Sequence, residues 1–245
     1  MKRLIGIGAV LSLLIFAAAT TQAEPKLTFS ENEFDFGYVP QHAVVSHVFW
    51  MYSSGDAPVH ITKIVPGCSC TRMPVEKDIL PVGDSLRLVL TFDSRMYMGE
   101  VNKHPKIYTD QADSVHALIF HAIATSRPDT INPIQVVPYK LDISQYADHV
   151  RDKIDFEIKN VSNRDLDLKL VAYPNDLVTV QLPNKVAAGQ SASATVTINP
   201  DVLDKKFERS FTFQVNDKNS SRVTVPMIRK IEKPKANAAQ ASAGK

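Results

Sequence analysis

Residues 80–92 read LPVGDSLRLVLTF, and residues 186–198 read VAAGQSASATVTI. In each, a Gly-x-Ser step precedes a run in which apolar residues fall on every second position. Period two sends alternate side chains to opposite faces, the mark of a half-buried strand entered from a tight turn. Two more pairs of segments match in the same order. HVFWMYSSGDAPVHI (47–61) answers KIDFEIKNVSNRDLDL (153–168), with Ser53 opposite Asn160, and KIYTDQADSVHALIFHAI (106–123) answers TFQVNDKNSSRVTVPMI (212–228). The offset stays at 106 or 107 throughout, which three chance alternations would not share. The chain reads as two copies of one all-β unit.

Each copy holds about seven short strands in about 100 residues, punctuated by Gly, Pro, Asn, Asp and Ser, as an immunoglobulin-like sandwich requires. No window carries a long helical stripe, and Asp201 to Lys206 makes at most one turn. SRPDTINP (126–133), with two prolines in a polar stretch, favours an extended linker. The expected organisation is two tandem immunoglobulin-like β-sandwich domains, residues 24–127 and 128–232, after a cleaved signal peptide (1–23) and before a disordered tail (233–245).

The leader MKRLIGIGAVLSLLIFAAATTQA has two basic residues, an apolar run and a small-residue end, which places cleavage after Ala23. Its apolar run is shorter than the ~20 residues needed to cross a bilayer. An exported protein is expected, in the periplasm, on the cell surface or in the medium, with no transmembrane segment in the mature chain. Without Lys2 and Arg3, 26 basic residues balance 26 acidic ones. That neutrality offers nucleic acid or anionic lipid no electrostatic attraction. The tail KPKANAAQASAGK lacks the apolar residues to form a core.

Cys68 and Cys70, in GCSCT (67–71), are the only cysteines. On a regular strand their side chains would stand about 7 Å apart, too far for a disulfide, whose Cβ atoms lie about 3.8 Å apart. A bridge needs a kinked chain, and Pro66-Gly67 supplies one. An oxidising compartment favours an oxidised form, whereas a strained small ring would suit thiol redox. Two thiolates could also hold a soft ion such as Cu(I), with Met73 as a third ligand and Met96, Met98 and His104 nearby in sequence. Otherwise no cofactor is expected. Two buried small residues are the remaining alternative.

No HExxH pair, Gly-x-Ser-x-Gly elbow or Gly-rich phosphate loop occurs, so no enzyme is expected. The seven histidines are scattered and are expected at surfaces or strand edges. Asp84-Ser85-Leu86, Asp113-Ser114-Val115 and Asp129-Thr130-Ile131 resemble the Asp-Ser/Thr-apolar acceptor of Bacteroidetes O-glycosylation, which nominates Ser85, Ser114 and Thr130. Asp-Ser is equally a turn-forming pair.

FDFGYVP (34–40), HVFWMYSSGDAPVHITKIVPGCSCT (47–71) and LPVGDSLRLVLTFDS (80–94) together resemble a family of bacterial envelope proteins, domain of unknown function 1573, over residues 27 to about 124. The family pattern is Phe-x-Phe-Gly, a Phe-x-aromatic strand, Cys-Gly-Cys-Thr and Pro-Gly before a strand. Ser69 stands where the family has its middle glycine, and Val82 where proline is common. Serine reaches glycine's special backbone angles only at a cost, so an ordinary backbone is expected between the two sulfurs. The resemblance implies an extracytoplasmic immunoglobulin-like domain without established activity or ligand. The resulting expectation is a non-enzymatic binding or scaffold module of the envelope, whose partner is another envelope protein or a surface polymer. The alternatives are a copper-type metal-handling or thiol-redox protein using Cys68 and Cys70, and a chaperone-like binder that captures a subunit by strand addition.

Overall fold

The computed structural model describes residues 23–111, 114–146 and 150–232. The expected leader up to Gln22, the tail from Lys233, Asp113 and His149 lie outside the described residues. In the first half the strands are β1 (Leu27–Phe29), β2 (Glu33–Pro40), β3 (Val44–Ser53), β4 (Val59–Val65), β5 (Thr71–Arg72) and β6 (Ile79–Leu80). β7 (Ser85–Asp93), β8 (Gly99–Lys103), β9 (Lys106–Thr109), β10 (Val115–Ala117) and β11 (Ile119–Thr125) complete it. In the second half they are β12 (Ile134–Val137), β13 (Leu141–Asp142), β14 (Gln145–Tyr146), β15 (Lys153–Asn160), β16 (Leu166–Ala172) and β17 (Val178–Gln181). β18 (Lys185–Val186), β19 (Ser191–Ile198), β20 (Phe207–Val215), β21 (Arg222–Arg229) and β22 (Ile231–Glu232) follow. Helix is confined to two 3-10 turns, Pro128–Thr130 and Pro200–Val202.

The period-two strands pack face to face as immunoglobulin-like sandwiches. In the first half, sheet β1-β3-β7-β5 faces β2, β11 and β8 together with sheet β10-β9-β4-β6. Between them lie Phe34, Phe36, Phe49, Phe92 and Phe120, all at most 3% exposed. Phe36 meets Phe34 and Phe120 edge-on, the arrangement that ring quadrupoles favour. In the second half, sheet β12-β15-β19-β17 faces β16, β20 and β21 over a second core that includes Phe156, Phe211 and Phe213. The first core draws on residues 27–124 and the second on 131–227, with a few partly buried residues crossing between them.

The repeat is visible in the backbone. Met51 pairs with Leu86 in the first sandwich and Ile158 with Ala192 in the second, so the offset is 107 along β3/β15 and 106 along β7/β19. Gly83 and Gly189, the glycines of the two Gly-x-Ser turns, both have positive φ, at 78° and 71°. Such angles favour glycine, which fits its place in both turns.

Residues 126–133 do not form the extended linker that their prolines suggest. They hold the turn Pro128–Thr130 and a cis Asn132–Pro133 bond, and the two sandwiches are joined edge to edge. β2 pairs in parallel with β11 on one side and with β21 on the other, giving the order β18-β16-β20-β21-β2-β11-β8. β13 takes the other end of β21. Thr224 donates to the Phe36 carbonyl at 2.5 Å, Tyr139 to the Tyr38 carbonyl at 2.7 Å and Arg222 to the Asp35 carbonyl at 3.1 Å. Gly37 makes the contact possible. Its φ is +61°, and a Cβ there would lie 2.1 Å from the Arg222 carbonyl oxygen.

Candidate functional site

The chain leaves β4 at Val65 and turns through Pro66 and Gly67, the latter at φ +85°. The Thr71 N–H donates to the Cys68 carbonyl at 3.3 Å, and the Asp93 N–H to the Cys70 carbonyl at 2.8 Å. This turn brings the two Cα atoms to 5.2 Å, and Cys68 and Cys70 are joined as a disulfide. Ser69, between them, is not among the residues of positive φ. Thr71 then enters β5 opposite Phe92 of β7.

Tyr97 faces the bridge. Its hydroxyl donates to Cys70 Sγ at 3.1 Å, its ring packs on Phe92 at 5.3 Å, and the Lys103 ammonium lies 4.9 Å from its centre. The flanking Met96 and Met98 are 83% and 71% exposed. Met73 is buried in the first core. Among the described residues no three His, Cys, Asp or Glu side chains gather into a metal-holding group, and both sulfurs are taken up by the bridge.

Cys70 also lines a cleft of about 520 Å³ between the sandwiches. Its first-sandwich wall includes Arg72, Val89 and Asp93; its opposite wall is Glu208 and Arg209 of β20. An adjoining hollow of about 400 Å³ shares Arg72, Asp93 and Glu208 and adds His42 and Arg95. Burial acts to raise the Asp93 pKa, but the hydrogen bonds and charge of Arg95, with the charge of Arg72, outweigh it and hold the carboxyl below its ordinary 3.8. Burial, with the nearby charge of Arg87, lowers the Arg209 guanidinium from its usual value against the pull of Asp176 and Glu208.

Beyond Arg209 a smaller hollow of about 190 Å³ lies between Trp50 and Tyr173. It is closed below by a serine clasp. The Ser46 N–H donates to Ser210 Oγ at 2.7 Å, and the Ser210 N–H and hydroxyl donate to Ser46 Oγ and O at 3.1 Å each. Arg87 makes a two-pronged ion pair with Asp176 at 2.6 and 2.9 Å across the same seam. Trp50, whose orientation the sequence leaves open, is 40% exposed here.

Ser85, Ser114 and Thr130 are all exposed. The histidines are not all superficial. His47 is 7% exposed, stacks on Phe34 at 3.5 Å and holds the Glu31 carboxylate at 2.8 Å. A polar residue in the inward register of an alternating strand is the signal that could have marked it. The cleft residues Glu208 and Arg209 could not be found this way, because they belong to the other repeat.

Fold and seam together define the class, a pair of immunoglobulin-like β-sandwiches fused through one sheet. Residues 27–124, most of the first sandwich, match the family described as "Protein of unknown function (DUF1573)". Residues 133–227 match the "HYDIN/CFA65/VesB-like, Ig-like domain" family. No curated protein matches the chain. Among solved structures, a protein of unknown function from Porphyromonas gingivalis W83 is 13% identical, over 82% of this chain and 99% of that one, at a TM-score of 0.36. The Vibrio cholerae VesB protease is 12% identical over 40% of this chain and 31% of that one, at 0.34. The ASH/PapD-like domain of human CEP192 is 10% identical over 51% and 97%, at 0.32.

Proposed function

We propose that this protein is an exported, non-enzymatic binding module of the bacterial envelope, which seats a segment of another envelope protein in the cleft between its sandwiches. The observation that carries this reading is the cleft itself, walled by both sandwiches, with Arg72, Val89 and Asp93 on one side and Glu208 and Arg209 on the other. Its apolar floor at Val89 and its mixed charges, Arg72 and Arg209 against Asp93 and Glu208, suit a polypeptide, which offers both apolar side chains and charges of both signs. A uniformly charged polymer would meet one repelling set. The leader and the disulfide, a bond that persists in oxidising compartments, support export.

Strand addition is the less favoured mode at the junction, because the edge of β21 beside Val223 is taken by β2 within the same chain. No helix among the described residues is long and apolar enough to cross a membrane.

The test is a photoreactive amino acid at Val89, compared with one at Thr179, an exposed position on β17. A discrete adduct from position 89, recovered with the periplasmic fraction and missing from position 179, is the expected result. Equal labelling from both positions, or none from position 89, removes the cleft as the binding site. Recovery of the protein from the cytoplasm alone removes export.

A further inference from the structure

We propose that the Cys68–Cys70 bridge is a thiol–disulfide exchange site in which an incoming thiolate attacks Cys68 and Cys70 leaves as the thiolate. The inference does not depend on what occupies the cleft. It rests on the unequal surroundings of the two sulfurs.

Cys70 Sγ accepts the Tyr97 hydroxyl at 3.1 Å, and the Lys103 ammonium over the Tyr97 ring adds positive potential there. Cys70 is also packed against the first core. Among the described residues the polar neighbour of Cys68 Sγ is the Thr71 hydroxyl at 3.3 Å, which stands 3.7 Å from Cys70 Sγ. A hydrogen bond to an anion is stronger than one to a neutral sulfur, so the Tyr97 hydroxyl gains most when Cys70 becomes a thiolate. Exchange is faster when the departing thiol is the more acidic one. Cys68 and Cys70 are half-buried residues rather than sealed in the core, which leaves the bridge open to an incoming thiol. The three-residue turn also holds the leaving sulfur close to the attacked one, ready to close the ring again.

The steps balance. A thiolate RS⁻ attacks Cys68 Sγ, a new S–S bond forms to Cys68, and the Cys68–Cys70 bond breaks with its electron pair leaving on Cys70 Sγ. One thiolate enters and one departs. A second RS⁻ attacks the R sulfur of the mixed disulfide, releasing RSSR and a Cys68 thiolate, so two thiols are oxidised as the bridge is reduced. In reverse, the two cysteine thiolates reduce a disulfide RSSR, releasing two RS⁻ as the Cys68–Cys70 bond closes again. The substrate class is a thiol or disulfide, and Tyr97 is a positioning residue.

The mature protein is exposed to glutathione, quenched with iodoacetamide and mapped by mass. The expected adduct is glutathione on Cys68 with the carbamidomethyl group on Cys70. The pH midpoint of alkylation is then compared in Cys68→Ser, which reports Cys70, and in Cys70→Ser, which reports Cys68. Cys70 is expected to have the lower midpoint. Tyr97→Phe should raise the Cys70 midpoint, leave that of Cys68 in place, and slow opening by glutathione roughly tenfold. A purely structural tyrosine would have the opposite effect, since loosening the turn speeds opening. Glutathione found mainly on Cys70, equal midpoints, or unchanged or faster opening in Tyr97→Phe overturns the proposal.

Discussion

β3 and β15 hold the same place in their sandwiches and pair at the same register with β7 and β19, yet their outer faces differ. β15 turns Lys153, Asp155, Glu157 and Lys159 outward, all exposed. The equivalent positions on β3 are Ser46, Val48, Trp50 and Tyr52, of which Ser46 is buried and Val48 half-buried. The difference follows from what lies outside. Water covers β15, whereas β20 of the second sandwich lies against β3. A strand can therefore keep its inward pattern and have its outer face rewritten by a neighbour.

The loops after β4 and β16 differ in the same way. The first carries the Cys68–Cys70 bridge and opens onto the cleft beside Arg209; the second carries Tyr173 and Asp176 and closes the opposite hollow through Arg87. Both equivalent loops border the seam, one with a disulfide and one with an aromatic ring and a charge. The repeat supplied two similar frames, and the seam separated their roles.

Gly37→Ala should disturb the junction of the two sandwiches most. The added Cβ would collide with the Arg222 backbone at a position of positive φ, so β2 must leave β21 or distort. A loss of about 3 kcal/mol or more is expected in urea unfolding, and the transitions of the two sandwiches should separate. A single unchanged transition would show that the shared sheet does not couple them.

Exchanging outer-face residues gives a gentler test. Val48→Asp, which copies the Asp155 position, places a carboxylate in the seam and should cost about 1–3 kcal/mol. Asp155→Val changes a solvated position and should stay within about 0.5 kcal/mol. Equal losses from the two would mean that the seam does not distinguish β3 from β15.

The smallest effect is in acid. The Asp93 carboxyl, held below its ordinary 3.8, releases its proton more readily in the folded protein than in the unfolded chain. Its contribution is therefore complete above the unfolded value and is lost as pH falls through the lower folded value. Between about pH 5 and pH 2, wild type should lose more stability than Asp93→Asn. Parallel curves would leave the Arg95 contact without a role in folding.

Much of this was legible in residues 80–92 and their partner segment. Alternation predicted the inward rows Leu86, Leu88, Leu90 and Phe92, which are at most 6% exposed, and the glycines marked the turns. The kink at Pro66-Gly67 was also readable, because no regular strand brings two cysteines one residue apart within bonding reach. Tyr97 was not. It lies between two methionines that drew attention as soft ligands, and only the fold shows the tyrosine turned toward the sulfur and the methionines toward solvent.

Strand period, repeat, turns and inward faces follow from the order of residues alone, because each depends on local backbone preference and on whether a side chain prefers water or core. The junction at β2, the seam over β3 and the asymmetry of the two sulfurs were decided by the tertiary structure. Sheet edges join through backbone N–H and C=O groups that every residue but proline carries alike, so the side-chain pattern does not say which edge meets which.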